Sequence, residues 1–217
     1  MINRITDMSP LKAARVTGFA FIIMFALALF ADGFVLQRLV VPGDAAATAN
    51  NIKANELLFG LGIASYLIIL ALDAVIALAL YVILKPVNKS LSSLAAVLRL
   101  LYTAIMGISL FALVLLFPNE YGYGKLVAYV FFISHIFVLG YLVFKSGYIP
   151  RSLGVLLIIA SFCYIILLYG DFILPKDWYE ALSLIAMLPA TFAEISLGIY
   201  LLLKGVKVPQ PSNDPAP

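Results

Sequence analysis

The chain has 217 residues, 64% of them hydrophobic and only 12% charged, with a formal net charge of +3. A soluble domain runs about 45–50% apolar and about 25% charged, and a chain this small keeps much of its surface exposed. A soluble enzyme, a nucleic-acid module and a disordered chain are therefore excluded. The mean hydropathy of +1.09 makes lipid the solvent.

Six stretches satisfy the requirement of about 20 mostly apolar residues for a membrane-crossing helix. The first starts at Ser9-Pro10, a good N-cap followed by a residue suited to the first helical position, and is expected to reach Leu36. Its basic start and Ala26-Leu27-Ala28 resemble a signal peptide, but the apolar run continues past Ala28, which predicts a retained anchor. The other spans are predicted over Leu57 to Leu84, Leu91 to Phe117, Leu126 to Phe144, Leu153 to Leu174 and Leu182 to Leu203. Turn chemistry separates them: Pro42-Gly43-Asp44, Lys85-Pro86-Val87-Asn88, Pro118-Asn119, Lys145-Ser146-Gly147 and Pro175-Lys176-Asp177. The expected architecture is all-α, an integral membrane bundle of six transmembrane helices. It forms one domain over residues 1–208, followed by a polar, Pro-rich and disordered tail over 209–217.

With six spans both termini share a side. Arg4, Lys12, Arg15, Lys85, Lys89, Lys145, Arg151, Lys204 and Lys207 gather there, against Arg38, Lys53, Lys125 and Lys176 opposite. That bias predicts cytoplasmic termini and a multi-pass protein of a bacterial inner membrane. Tyr121, Tyr123, Trp178 and Tyr179 read as an outer aromatic belt. In the long outer connection Asp44 is a plausible N-cap for a helix from Ala45 to Lys53. Continued into the second span, that helix would be about 60 Å long, twice the roughly 30 Å hydrocarbon core. It must break, with Gly60 and Gly62 as candidate hinges.

Ionisable residues deep in a bilayer normally face the bundle interior, pair, and mark function. Here Asp73, Arg99, His135 and Glu194 lie well inside spans two, three, four and six. At 1.5 Å per residue they stand about 14–18 Å from the termini side, so four spans supply one polar layer. Helical spacing places Tyr66 on the face of Asp73, Thr103 and Met106 on that of Arg99, and Ala190, Thr191 and Gly198 on that of Glu194. Pro189 removes one helical hydrogen bond and frees the Ile185 carbonyl, which needs a hydroxyl or water at this depth. Asp73, Arg99, His135, Glu194, Tyr66, Thr103 and Thr191 are the candidate ligand-binding residues. Asp73 with Arg99 reads either as a pair that fixes helix register or as part of a site. If Arg99 neutralises Asp73, Glu194 lacks a cation unless His135 is protonated, and it is then expected to carry a proton itself. Asp32, Glu56 and Asp171 lie near outer ends, as an acidic mouth or as solvated carboxylates.

One cysteine, Cys163, and one histidine exclude an intramolecular disulfide and any site needing several Cys or His ligands. No metal or cofactor is expected. No Lys lies mid-span for a Schiff base, and neither a Gly-rich phosphate loop nor a Gly-x-Ser-x-Gly elbow appears.

Four stretches carry a resemblance. They are Val41-Pro42-Gly43-Asp44-Ala45-Ala46-Ala47-Thr48 with Glu56-Leu57-Leu58-Phe59, and Leu84-Lys85-Pro86-Val87-Asn88. The third runs from Leu139-Gly140-Tyr141 through Lys145-Ser146-Gly147-Tyr148-Ile149-Pro150-Arg151 into Leu153-Gly154. The last is Glu194-Ile195-Ser196-Leu197 with Leu203-Lys204-Gly205-Val206. Together they resemble a bacterial membrane-protein family described as domain of unknown function 4386, from about Arg15 to Val206. The resemblance implies a single multi-span domain and transfers no activity, substrate, cofactor or catalytic residue.

Three functions remain open on these residues. One is binding or transport of a small or amphipathic solute, with Glu194 as the protonatable member. The second is an intramembrane enzyme acting on a lipid-like substrate, with Glu194 as acid or base and Arg99 holding an anionic group. The third is a structural or partner-binding subunit. The expected partners are the lipid bilayer and a small-molecule or lipid ligand, with no nucleic acid.

Overall fold

The computed structural model describes residues 8–41, 43–115 and 117–207. The expected tail over 209–217, Arg4 and Pro42 lie outside the described residues. Six helices are long and apolar enough to cross a membrane: α1 (Pro10–Leu39), α3 (Glu56–Leu84), α4 (Lys89–Val114), α5 (Pro118–Lys145), α6 (Arg151–Ile173) and α7 (Lys176–Leu203). A short α2 (Ala45–Ala54) sits between the first two. No strand occurs among the described residues, and the all-α membrane bundle expected from composition is what forms.

Local chemistry starts the helices. The Ser9 hydroxyl accepts from the Lys12 amide, with Pro10 in the first turn. Asp44 accepts from the Ala47 amide at 2.8 Å, and Asn88 from that of Leu91 at 2.9 Å. Each satisfies one of the amides that a helix N-terminus leaves open. Two spans start well before their apolar stretch, α5 at Pro118 and α7 at Lys176. Hydropathy locates only the part in hydrocarbon, and a helix continues through the polar interface once a proline opens it. The long outer helix breaks at Asn55, where φ is −137° and ψ 43°, and neither expected glycine hinge is used. Gly60 faces open space, whereas a Cβ on Gly62 would stand 2.7 Å from Val35 Cγ1, so that glycine serves the packing of α3 on α1.

Sequential spans pack on one another, and α1 also packs against α7. The six spans therefore close into a ring in chain order. Two of its seams depend on glycine. A Cβ on Gly18 would lie 2.5 Å from the Gly198 carbonyl oxygen, and one on Gly140 2.9 Å from that of Gly154. In lipid, helices associate through such close backbone contact because no hydrophobic force drives them together. The α5–α6 turn uses Gly147 at φ 73°. There the Tyr148 hydroxyl donates to the Ile83 carbonyl at 2.6 Å, and burial pushes Tyr148 up to about 12.

On the side where α1 begins and α7 ends, the ring is filled by a continuous apolar core that includes Ile83, Leu139, Leu142, Leu157, Leu197 and Leu201. Towards the other end, here the far side, the axis is less filled. The belt expected there is only half formed. Tyr123 and Trp178 are exposed, but Tyr121 is buried with Leu110 and Leu113. Tyr179 turns in against Gly170.

Candidate functional site

Arg99 is fully buried near the middle of the ring, and every guanidinium nitrogen has a partner. Nε donates to Asp73 Oδ1 at 2.8 Å, and Nη2 lies 2.6 Å from the same oxygen. Nη1 donates to Glu194 Oε1 at 2.7 Å and meets His135 Nε2 at 3.1 Å. Nη2 also faces the sulfur of Met24 at 3.9 Å. The rings of Phe21 and Phe132 lie 5.3 and 5.9 Å from Cζ. Four spans thus deliver one ionic cluster, as the depth count predicts, and α1 supplies the sulfur beside it.

Two expectations change here. Glu194 does not lack a cation, because Arg99 bridges both carboxylates. The planar fork suits this, because it offers separate nitrogens to each carboxyl, whereas a lysine brings its three donors to one point. Arg99 also has no nitrogen without a partner with which to hold an anionic group.

The tautomer of His135 follows from its partners. Nδ1 lies 2.8 Å from the Ala95 carbonyl oxygen, which can only accept, so Nδ1 carries the hydrogen. Nε2 faces a guanidinium, which can only donate, so it presents a lone pair. His135 is therefore neutral and adds no positive charge. Asp73 and Glu194 bring two carboxyls to one guanidinium.

Exposure separates the carboxylates. The side chains of Arg99 and Asp73 are 0% and 2% exposed, that of Glu194 14%. Glu194 opens onto a cavity of about 190 Å³ to which all six spans contribute, through Met24, Asp73, Arg99, Phe132, Tyr164 and Glu194 among others. The cavity lies on the ring axis, between the ionic cluster and the far side, and the apolar core closes it below.

The remaining candidates divide. Tyr66 and Thr191 line the cavity. His135 stands behind Arg99. The Thr103 hydroxyl donates to the Arg99 carbonyl at 2.8 Å, within its own helix. Pro189 lies within α7 without ending it. The hydroxyl that meets this helix is that of Tyr164, 3.0 Å from the Ala190 carbonyl.

Of the three outer carboxyls, Asp32 belongs to the site and the other two do not. Glu56 and Asp171 are exposed, whereas Asp32 lines the cavity. It sits in a π-helical stretch of α1, Leu29–Leu36, a departure often found at functional positions. The Tyr66 hydroxyl donates to its carboxylate, and Lys125 Nζ lies 3.8 Å away. Asp32 and Tyr129 also line a more open hollow of about 370 Å³ with Gln37, Tyr121 and Lys125. The two spaces share Asp32 and Tyr129 as walls. Sequence reasoning also missed the aromatic wall of Tyr102, Tyr129, Phe132 and Tyr164. Its ring centroids lie between 4.8 and 6.1 Å apart. The signal available was the run of single aromatics facing inward on α4, α5 and α6.

The family described as domain of unknown function (DUF4386) matches residues 16–119 and 112–205, which include every residue of the cluster. A protein of Archaeoglobus fulgidus, described only as uncharacterized, is 34% identical over 153 residues, 68% of this chain and 86% of its own length. No solved structure matches it.

Proposed function

Because this chain belongs to the DUF4386 family, whose description assigns no activity, we propose its function from its own cavity: it binds a small solute on the ring axis, entering from the far side. The observation that carries this reading is the cavity of about 190 Å³, walled by all six spans and ending on Glu194. Cavities of about 150 Å³ admit a benzene-sized molecule, so the solute is of that order and smaller than a lipid. A bundle that needed its ionic cluster only for packing would gain nothing from open space above it.

Transport is the use of such a site that a membrane bundle most naturally makes. It requires the apolar core below Glu194 to open, because the cavity ends there. The Lys and Arg bias supports cytoplasmic termini, and with them a cavity that faces away from the cytoplasm of a cell's inner membrane. The enzyme reading loses its anion-holding group with the closure of Arg99.

The test is native mass spectrometry of gently purified wild type beside Thr191→Phe, which places a ring in the cavity while leaving the ionic cluster intact. A small molecule carried by wild type and absent from the variant is expected. If both samples carry ordinary lipid alone, the reading falls and the cluster is a packing device.

A further inference from the structure

The charge and the walls of the cavity say more about its ligand than its size does. Asp32, Asp73 and Glu194 line the space with a single lining cation, Arg99. That cation is fully buried and already bonded to two of those carboxyls. Lys125 stands in the outer hollow, 3.8 Å from Asp32, and balances one charge at the entrance. His135 is neutral by its hydrogen bonds. With the carboxyls ionised, the floor of the cavity carries one negative charge more than Arg99 supplies.

An anion entering this space would meet Glu194 and no open donor edge of Arg99. A neutral solute would leave the excess charge in a medium where uncompensated charge is expensive, to be relieved only by a carboxyl taking up a proton. A cation compensates it. The walls suit the same charge, because Tyr102, Tyr129, Phe132 and Tyr164 bring aromatic rings to the cavity, and aromatic faces attract ammonium groups. We infer that the ligand of this cavity is a small organic cation, its charged group held by Glu194 and its apolar part by the rings of Tyr129, Phe132 and Tyr164. The inference rests on the reading of the cavity as a solute site and names the ligand's class. The mouth adds no net charge of its own, since Asp32 there is balanced by Lys125.

Three probes of nearly the same shape separate the possibilities: choline, its neutral isostere 3,3-dimethylbutan-1-ol, and the anion 3,3-dimethylbutanoate. Binding of each is measured by equilibrium dialysis or calorimetry on the full chain in detergent or nanodiscs. Choline is expected to bind about tenfold or more tightly than the alcohol, and the anion not measurably. Glu194→Gln should bring the choline-to-alcohol ratio close to one while leaving the alcohol's own affinity in place. Tyr129→Leu, which leaves the ionic cluster untouched, should lower choline affinity several-fold and serves if Glu194→Gln does not fold. Thr191→Phe should abolish binding of both choline and the alcohol. Equal binding of choline and alcohol, or preference for the anion, would overturn the cation while leaving the solute site standing. Failure of all three to bind would remove both.

Discussion

Replacing Arg99 with methionine tests the ionic cluster most directly. Methionine keeps much of the length and the apolar contacts with Phe21 and Phe132, but withdraws the charge from Asp73, whose side chain is 2% exposed. Removing one partner of a buried pair costs about 3–5 kcal/mol, because the other charge is left unpaired. Glu194 adds less, since at 14% exposure it borders the cavity and can be hydrated. The expected loss for Arg99→Met is therefore about 3–5 kcal/mol. For Asp73→Asn it is about 1.5–3 kcal/mol, the range of one charge-assisted bond, and for Glu194→Gln about 1 kcal/mol. The triple variant Asp73→Asn, Arg99→Met, Glu194→Gln holds no unpaired charge and should recover at least half of the Arg99→Met loss. Reversible unfolding in mixed micelles of increasing SDS content gives these differences. Arg99→Met within about 0.5 kcal/mol of wild type, the range of an ordinary surface change, would refute the reasoning, as would a triple variant less stable than Arg99→Met alone.

Other consequences follow from single positions. Gly18→Val should destabilise by about 3 kcal/mol or more, since a Cβ there would stand 2.5 Å from the Gly198 oxygen. Gly60→Ala, which faces open space, should be neutral or slightly stabilising in the same unfolding assay. Asp44→Ala removes the cap on the Ala47 amide and should cost α2 about 1 kcal/mol, read as faster hydrogen exchange in α2 with the bundle's melting temperature unchanged. Arg99→Lys should lose about 2 kcal/mol, because one ammonium cannot bridge Asp73 and Glu194 as the guanidinium does.

Much of the site was legible because depth in a membrane is counted along a helix. A rise of 1.5 Å per residue puts Asp73, Arg99, His135 and Glu194 at one level whatever the packing. Which of them touch is a lateral question, set by how each helix is rotated about its axis. The sequence pairs Arg99 with Asp73 as the simplest choice; the ring also brings Glu194 to the same guanidinium. Asp32 looks interfacial by residue count, yet the π-helical turn of α1 sets it in the cavity wall beside Tyr66. Hydrogen-bond spacing of that kind has no sequence signature as plain as a proline. The break at Asn55 was misplaced for a related reason. Glycine marks both bends and close contacts, and Gly62 serves a contact.

The sequence alone determined the solvent, the number of spans and the level of the polar layer. A hydrocarbon core about 30 Å thick demands stretches of about 20 apolar residues and makes every deep charge conspicuous. The tertiary structure decided the closure of the ring, the two carboxylates on Arg99, the neutral tautomer of His135 and the cavity above them. These depend on helix rotation, which the glycine seams at Gly18–Gly198 and Gly140–Gly154 hold in place. In lipid no hydrophobic force orients one apolar helix against another, so local fit between side chains and backbone sets what composition and periodicity leave free.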